Sequence, residues 1–184
     1  MQDFNKLVRG CLRGKAKSQR LLFEEFEGLV MGICLRYAAD HVEAEDMFQE
    51  VFIRVFDRLS TLKDAQALPA WIKQLAVRTV INVYHAQRKH RYHLEVSHAE
   101  QEEADVTSVL DVLDNEALVS MINDLPEGYR IVFNLYVVDG YSHREIAEML
   151  DITENTSKSQ LSRAKAQMKR QLKQLGITRY EKYV

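Results

Sequence analysis

The chain has 184 residues, room for one domain or two small ones. Hydrophobic residues make up 46% and charged residues 28%, a globular balance that excludes wholesale disorder, and 7 glycines with 2 prolines are too few breakers for a turn-rich all-β fold, so the expected class is all-α. The net charge of −2 hides a segregation: 15 Lys+Arg against 11 Asp+Glu from Met1 to His93, none against 7 from Leu94 to Asp114, and 10 against 9 from Asn115 to Val184.

The N-terminal stretch Met1 to Arg20 is polar and carries Lys6, Arg9, Arg13, Lys15, Lys17 and Arg20 with no apolar core behind them, which is not the pattern of a secretory signal. No run approaches the ~20 apolar residues of a membrane span, so membrane insertion is not expected. From Leu22 the apolar residues Phe23, Phe26, Val30, Ile33, Cys34 and Tyr37 recur at three- and four-residue steps, which predicts a helix. A short connection over Ala39 to Val42 follows, with Asp40 as N-cap. A second helix bears Ala44, Phe48, Val51, Phe52, Val55, Phe56 and Leu59. Ser60 to Leu68 is more polar, and Pro69 suits the first turn of a third helix carrying Trp71, Ile72, Leu75, Ala76, Thr79, Val80 and Val83 on one side. Glu95 to Thr107, within the purely acidic stretch, reads as a flexible linker.

Short helices are expected after it. Glu116 to Asn123 ends before Pro126, and Glu127 to Val138 has Tyr129, Val132, Phe133 and Tyr136 as its apolar positions. Asp139-Gly140 is a turn in which Gly140 can take the positive φ that ends a helix. Ser142 and Glu145 form an S-x-x-E capping box ahead of a two-turn helix through Ile146, Ala147 and Leu150. Thr153 can cap a longer helix with Leu161, Ala164, Met168 and Leu172 turned to the core. Cys11 and Cys34 lie in helix-like stretches without CxxC spacing, so neither a zinc site nor a disulfide framework is expected, and a reducing cytoplasm fits.

Three constellations carry chemistry. In the first, a two-turn helix, a short turn and a longer helix make the helix-turn-helix layout, whose second helix enters the major groove. From Asn155 to Leu175 that helix has no acid and holds Lys158, Arg163, Lys165, Lys169, Arg170 and Lys173. Lys158, Ser159, Ser162 and Arg163 share a polar-basic face suited to base edges and phosphates. A solvated basic helix is the plain alternative. In the second, Trp71 to His93 has five bases (Lys73, Arg78, Arg88, Lys89, Arg91), no acid, and Tyr84 and Tyr92 interleaved. Cations track a phosphate backbone and aromatic rings stack on unpaired bases, although Trp71 at helical spacing with Leu75 reads as core before platform. His85, His90 and His93 join this basic face. In the third, Glu43, Glu45, Asp46 and Glu50 crowd the start of an apolar helix; favourable placement against the helix dipole and a docking face with Asp46, Gln49 and Glu50 exposed beside Met47 fit equally. The histidines make no HExxH or Cys-His spacing, and there is no glycine-rich phosphate loop or GxSxG, so no catalytic residue, metal site, cofactor or small-molecule substrate is expected.

The segments CLRGKAKSQRLLFEEF, AEDMFQEVFIRVF (Ala44 to Phe56), AWIKQLAVRTVINVY (Ala70 to Tyr84), LPEGYRIVFNLYVVDGYSHREIAEML (Leu125 to Leu150) and SQLSRAKAQMK (Ser159 to Lys169) resemble, in order and over nearly the whole chain, a bacterial extracytoplasmic-function (ECF) sigma factor. The resemblance implies two small helical domains joined by an acidic flexible linker: 1–93 like sigma region 2, 94–113 the linker, and 114–184 like sigma region 4. It implies a cytoplasmic transcription initiation factor, not an enzyme, whose partners are core RNA polymerase, through the β′ coiled coil and the β flap, and promoter DNA. Many members are also held by an anti-sigma factor. Asp46, Gln49, Glu50 and Arg54 would meet the β′ coiled coil, tipping the third constellation towards docking. Leu62, Lys63, Arg78, Asn82 and Arg88 would serve the −10 element, with the Leu62 to Leu68 loop capturing a flipped base, and Lys158, Ser159, Ser162, Arg163 and Lys165 would read the −35 element. The linker would thread towards the active-site cleft, its charge imitating RNA.

Four positions depart from the family pattern. Asp151 and Asn155 replace common glycines, each able to take the left-handed conformation; Arg78 stands where asparagine is frequent, and Ser162 where some members have a larger side chain. The rival from another class is a stand-alone helix-turn-helix regulator, which leaves the first block without a role; a helical enzyme or scaffold finds no site.

Overall fold

The computed structural model describes residues 3–91 and 120–174, with the side chains of 87–91 excepted. The 94–113 stretch, the start of the helix expected from Glu116, and the side chains of Arg88, His90 and His93 lie outside the described residues. The chain divides into two compact units, Met1–Arg91 and Tyr92–Val184. All regular structure among the described residues is helical.

The first unit holds four helices: α1 (Phe4–Leu12), α2 (Ala16–Tyr37), α3 (His41–Arg58) and α4 (Leu68–Arg91), with one-turn 3₁₀ segments at Leu59–Thr61 and Ala65–Ala67. α2, α3 and α4 pack on one another around a core of Leu22, Phe26, Val30, Ile33, Val51, Val55, Ile72, Ala76 and Val80, all nearly or fully excluded from solvent. Phe23 forms an aromatic cluster with Phe48 and Phe52, with ring centroids 5.7 and 4.6 Å away. Such pairs contribute roughly 0.5–1.5 kcal/mol beyond their buried area.

α1 is absent from the periodicity reading. Its buried residues Leu7, Val8 and Cys11 lie one helical turn apart on the side facing α2, and Asp3 caps it by accepting from the Lys6 amide at 3.1 Å. The two helices touch closely at Gly10, where a Cβ would sit 2.1 Å from Ser18 Oγ. α3 starts two residues earlier than expected because Asp40 accepts from the Glu43 amide while Glu43 Oε2 accepts from the Ala39 amide, so His41 and Val42 are helical rather than part of the connection. Both thiols are buried and unpaired; desolvation raises the Cys11 pKa and pushes Cys34 up to about 12.

The second unit is built from helical residues 120–123, α5 (Glu127–Phe133) running into a π-helical turn (Asn134–Val138), α6 (His143–Leu150) and α7 (Glu154–Gln174). The π turn corrects the expected apolar positions. Val132 and Phe133 are buried as expected, with Ile131 beside them, but Tyr129 is only half-buried; within the turn, marked by the Asp139 amide donating to the Asn134 carbonyl at 2.9 Å, Asn134 and Leu135 are buried and Tyr136 is 39% exposed. Gly140 takes φ 79° and ends the turn. The Ser142–Glu145 capping box then starts α6: the Glu145 amide donates to Ser142 Oγ at 3.3 Å and the Ser142 amide to Glu145 Oε2 at 2.8 Å. The Ser142 amide and the Ser142 hydroxyl, which donates to the same Oε2 at 2.7 Å, hold the Glu145 carboxyl below its usual range.

Candidate nucleic-acid interface

The turn between α6 and α7 rests on Asp151, the one non-glycine residue with positive φ among the described residues (φ 53°, ψ 50°). Its short side chain tolerates this region, and the helix reverses there without glycine. Asn155 needs no such tolerance, contrary to expectation: it sits in the first turn of α7 with ordinary right-handed backbone. Thr153 Oγ1 accepts from the Thr156 amide at 3.0 Å and caps α7.

α7 buries Leu161, Ala164, Met168 and Leu172 against α5 and α6. Lys158 is exposed, and Ser162, Lys165 and Lys169, at i+4, i+7 and i+11 from it, form a half-buried polar stripe that leaves charge at the surface. Ser159 and Arg163 lie on the neighbouring stripe. The Ser159 hydroxyl donates to the Thr156 carbonyl at 3.0 Å, and Arg163 Nη1 donates to the Tyr129 hydroxyl at 3.3 Å, which holds the guanidinium beside α5.

His143, singled out by no motif, locks the two helices of this layout together. Its Nδ1 lies 2.9 Å from the Oγ of Ser157, which is fully buried in α7, and its ring stacks on Tyr136 at 4.4 Å. Desolvation, followed by the charge of Lys158, lowers its pKa from 6.5; Glu154 opposes this and Lys165 adds to it. The neutral ring is therefore the form that fits. Histidine opening the helix after a capping serine was the available signal.

In the first unit a cleft of about 250 Å³ opens between α3, the first 3₁₀ turn and α4, lined by Arg54, Arg58, Thr61, Trp71, Arg78 and Asn82 among others. Three guanidinium groups and no carboxylate face it. Trp71 corrects the sequence reading: it is half-exposed and forms a wall of the cleft instead of joining the core, because Ile72 and Ala76, both at 0% exposure, take the inward positions. Arg78 and Asn82 come together there. Leu62, half-buried, and exposed Lys63 sit in the adjacent loop and do not line it.

A second, acidic hollow lies at the other end of α3, lined by Asp40, Glu43, Asp46, Met47, Glu50 and Val83 with neighbours. Asp46 and Gln49 are exposed as expected and Glu50 is half-buried, while Met47 beside them is 2% exposed and seats the helix. The exposed apolar companions are Val42, 69% exposed, and Ile53, 56% exposed. With Asp46 and Gln49 they fall at i, i+4, i+7 and i+11, one mixed apolar and polar stripe on the exposed side of α3. The spacing of the core face passes over both. Glu50 and Arg54 pair with each other at 2.7 Å, so Arg54 stands on the ridge between the hollow and the cationic cleft.

No helix is long and apolar enough to cross a membrane, and no group of three metal-ligating side chains gathers, among the described residues. The family described as Sigma-70 region 2 matches residues 22–90, and the one described as Sigma-70, region 4 matches residues 115–168. The chain is similar to the ECF RNA polymerase sigma-E factor of Haemophilus influenzae, 27% identical over 180 residues covering 92% of this chain and 95% of that one. It is similar to the ECF RNA polymerase sigma factor SigL of Mycobacterium tuberculosis, 28% identical over 177 residues covering 94% and 98%. In fold it is similar to the sigma factor RpoE of Bartonella quintana, solved in complex with the anti-sigma factor NepR, with TM-score 0.52 and 18% identity over 86% of this chain and 98% of that one.

Proposed function

Because the chain belongs to the ECF sigma factors, and so is a transcription initiation factor that works with core RNA polymerase on promoters, we propose how its surfaces divide that work. The observation that carries the division is the separation, within the first unit, of an acidic and apolar stripe on α3 from a cationic cleft between α3 and α4. The two surfaces have opposite charge and suit different partners.

Residues 1–93 act as the unit that grips the polymerase and handles the −10 element, 94–113 as a linker, and 114–184 as the unit for the −35 element. Asp46, Gln49 and Glu50, joined by Val42 and Ile53, meet the β′ coiled coil, and Arg54 orients Glu50. In the cleft, Arg54, Arg58 and Arg78 draw in phosphate and Trp71 offers a ring face to an unstacked base, an interaction typically of about 1–3 kcal/mol. Asn82 supplies both a donor and an acceptor for base edges, and Leu62, Lys63 and Arg88 flank the path of the strand. On α7, Lys158, Ser162 and Lys165 approach the major groove of the −35 element, with Ser159 and Arg163 beside them. The second unit also meets the β flap. None of these surfaces assembles a nucleophile with a base, and the chain works as a non-enzymatic cytoplasmic factor. An anti-sigma factor belongs to the proposed partners, as in the Bartonella complex.

Run-off transcription with core polymerase on genomic fragments tests the reading. Promoter-specific transcripts should appear with the wild-type chain, weaken with Trp71→Ala at the melting step, and lose −35 discrimination by roughly 1–3 kcal/mol with Arg163→Ala if that group leaves Tyr129 for a base edge. Equal loss on all sequences would assign Arg163 to phosphate. No specific transcript from any fragment would end the proposal.

A further inference from the structure

A third charged surface lies apart from both sites of the first unit, at the corner where α1 turns into α2. Residues 3–21 precede the Sigma-70 region 2 match, which begins at residue 22. Six cations and a single acid, Asp3, occupy the first twenty residues. Lys6, Arg9, Arg13 and Lys15 line one open groove there, together with Asp3 and Ser18. All four cations are exposed, and no ion pair ties any of them to an acid among the described residues. Asp3 is already engaged as the cap of α1.

The placement of these charges is not explained by local stability. Arg9 and Arg13 stand at the C-terminal end of α1, where a cation is favourable. Lys15, however, is the N-cap residue of α2 and makes no side-chain capping bond, and Lys17 follows in a first turn that holds no acid. Cations at the positive end of a helix work against its dipole. The chain thus carries charge at this corner that its own fold disfavours, and an external anion would reverse that cost. Lys6, Arg9 and Arg13 succeed one another at three- and four-residue steps, a turn of about 5.4 Å at each, so the groove offers a row of cations and not a single point. A row suits a polyanion with charges at regular intervals. Arginine forks suit phosphate oxygens in particular.

We propose that the α1–α2 corner is a sequence-independent binding surface for the phosphodiester backbone of DNA, holding promoter DNA in addition to the two sequence-reading surfaces. The choice of DNA over an acidic protein rests on the initiation-factor reading, since DNA is the polyanion that the assembled factor always meets.

The test uses the full chain with core polymerase and a genomic fragment that the wild-type holoenzyme selects. The triple variant R9A/R13A/K15A should bind core polymerase as the wild type does, keep its thermal stability, and initiate at the same start sites. Its complexes with the fragment should be weaker, and the slope of log K against log salt should fall by roughly 2–3, about 0.9 for each phosphate that is no longer neutralised. R9K/R13K, with the charge kept, should retain the slope. An unchanged slope and affinity in the triple variant would overturn the proposal, and so would loss of core binding, which would give the corner to the polymerase. If the wild-type holoenzyme selects no fragment at all, the initiation-factor reading falls first and this surface loses its partner with it.

Discussion

The two units solve the same problem by different means. The first packs long helices whose apolar residues return every three or four positions, so that its core is a product of repetition. The second sets short elements against one long helix, α7, and much of its geometry is set by single residues at their ends: the π turn after Phe133, Gly140 at φ 79°, the Ser142 box, Asp151 in the left-handed region, and Thr153 as a cap. Redundant packing suits a unit that must offer opposite charges on rigid walls. End-determined geometry suits the task proposed for the second unit, which is to present one helix at one angle.

This contrast can be broken most directly in the cores. Leu22→Ala in the first unit and Leu135→Ala in the second each remove a side chain at 0% exposure and should cost about 2–5 kcal/mol. Calorimetry should show each substitution moving one unfolding transition and sparing the other; a joint shift would mean that the units do not unfold separately. Gly10→Ala comes next. Its Cβ meets Ser18 Oγ at 2.1 Å and Ser18 Cβ at 2.7 Å, so roughly 1–3 kcal/mol should be lost. Most should return in Gly10→Ala/Ser18→Gly, as measured by urea denaturation.

Caps sharpen the comparison at lower energy. Ser142→Ala should cost about 1 kcal/mol and should also weaken −35-dependent transcription, because it loosens the helix that α7 is set against. Asp40→Ala removes an equivalent cap in the first unit and should cost a similar amount of stability while leaving −35 discrimination intact. Equal effects of both on discrimination would contradict the division of labour.

The smallest effect concerns pH. His143 has its pKa lowered in the folded chain, so as the pH falls through 6.5 the unfolded chain takes up a proton that the folded one resists. The second unit should therefore lose stability between neutral pH and the lowered value, and His143→Gln should flatten that part of its melting-temperature profile. A profile identical to wild type would show that the ring is not held neutral against Ser157.

Periodicity made α2, α3 and the core face of α7 legible, and cap chemistry made the α6 start and its turn legible, because both are written in residue type at fixed spacing. α1 was legible in principle through Leu7, Val8 and Cys11, but its nine residues give the repeat little more than one return, and they sit in an N-terminal stretch whose six cations drew the reading to charge. The π turn was not, since one extra residue per turn leaves no mark in composition while it rotates Tyr136 outwards and Asn134 inwards. Trp71 stands outside the core for a related reason. A helical repeat fixes a stripe, but the edge of that stripe is decided by which neighbouring helix arrives there, and spacing with Leu75 put Trp71 inside. Val42 escaped because it was read as part of the connection before α3, and Ile53 because it falls outside the repeat that marks the core face.

The two cysteines have a physiological corollary. Only the thiolate attacks peroxides or disulfides, and burial that pushes the Cys34 thiol up to about 12 keeps it protonated at neutral pH. With Cys11 shielded likewise, oxidants meet no ready target in either buried sulfur. Oxidation at either sulfur would first require the helices that cover it to open.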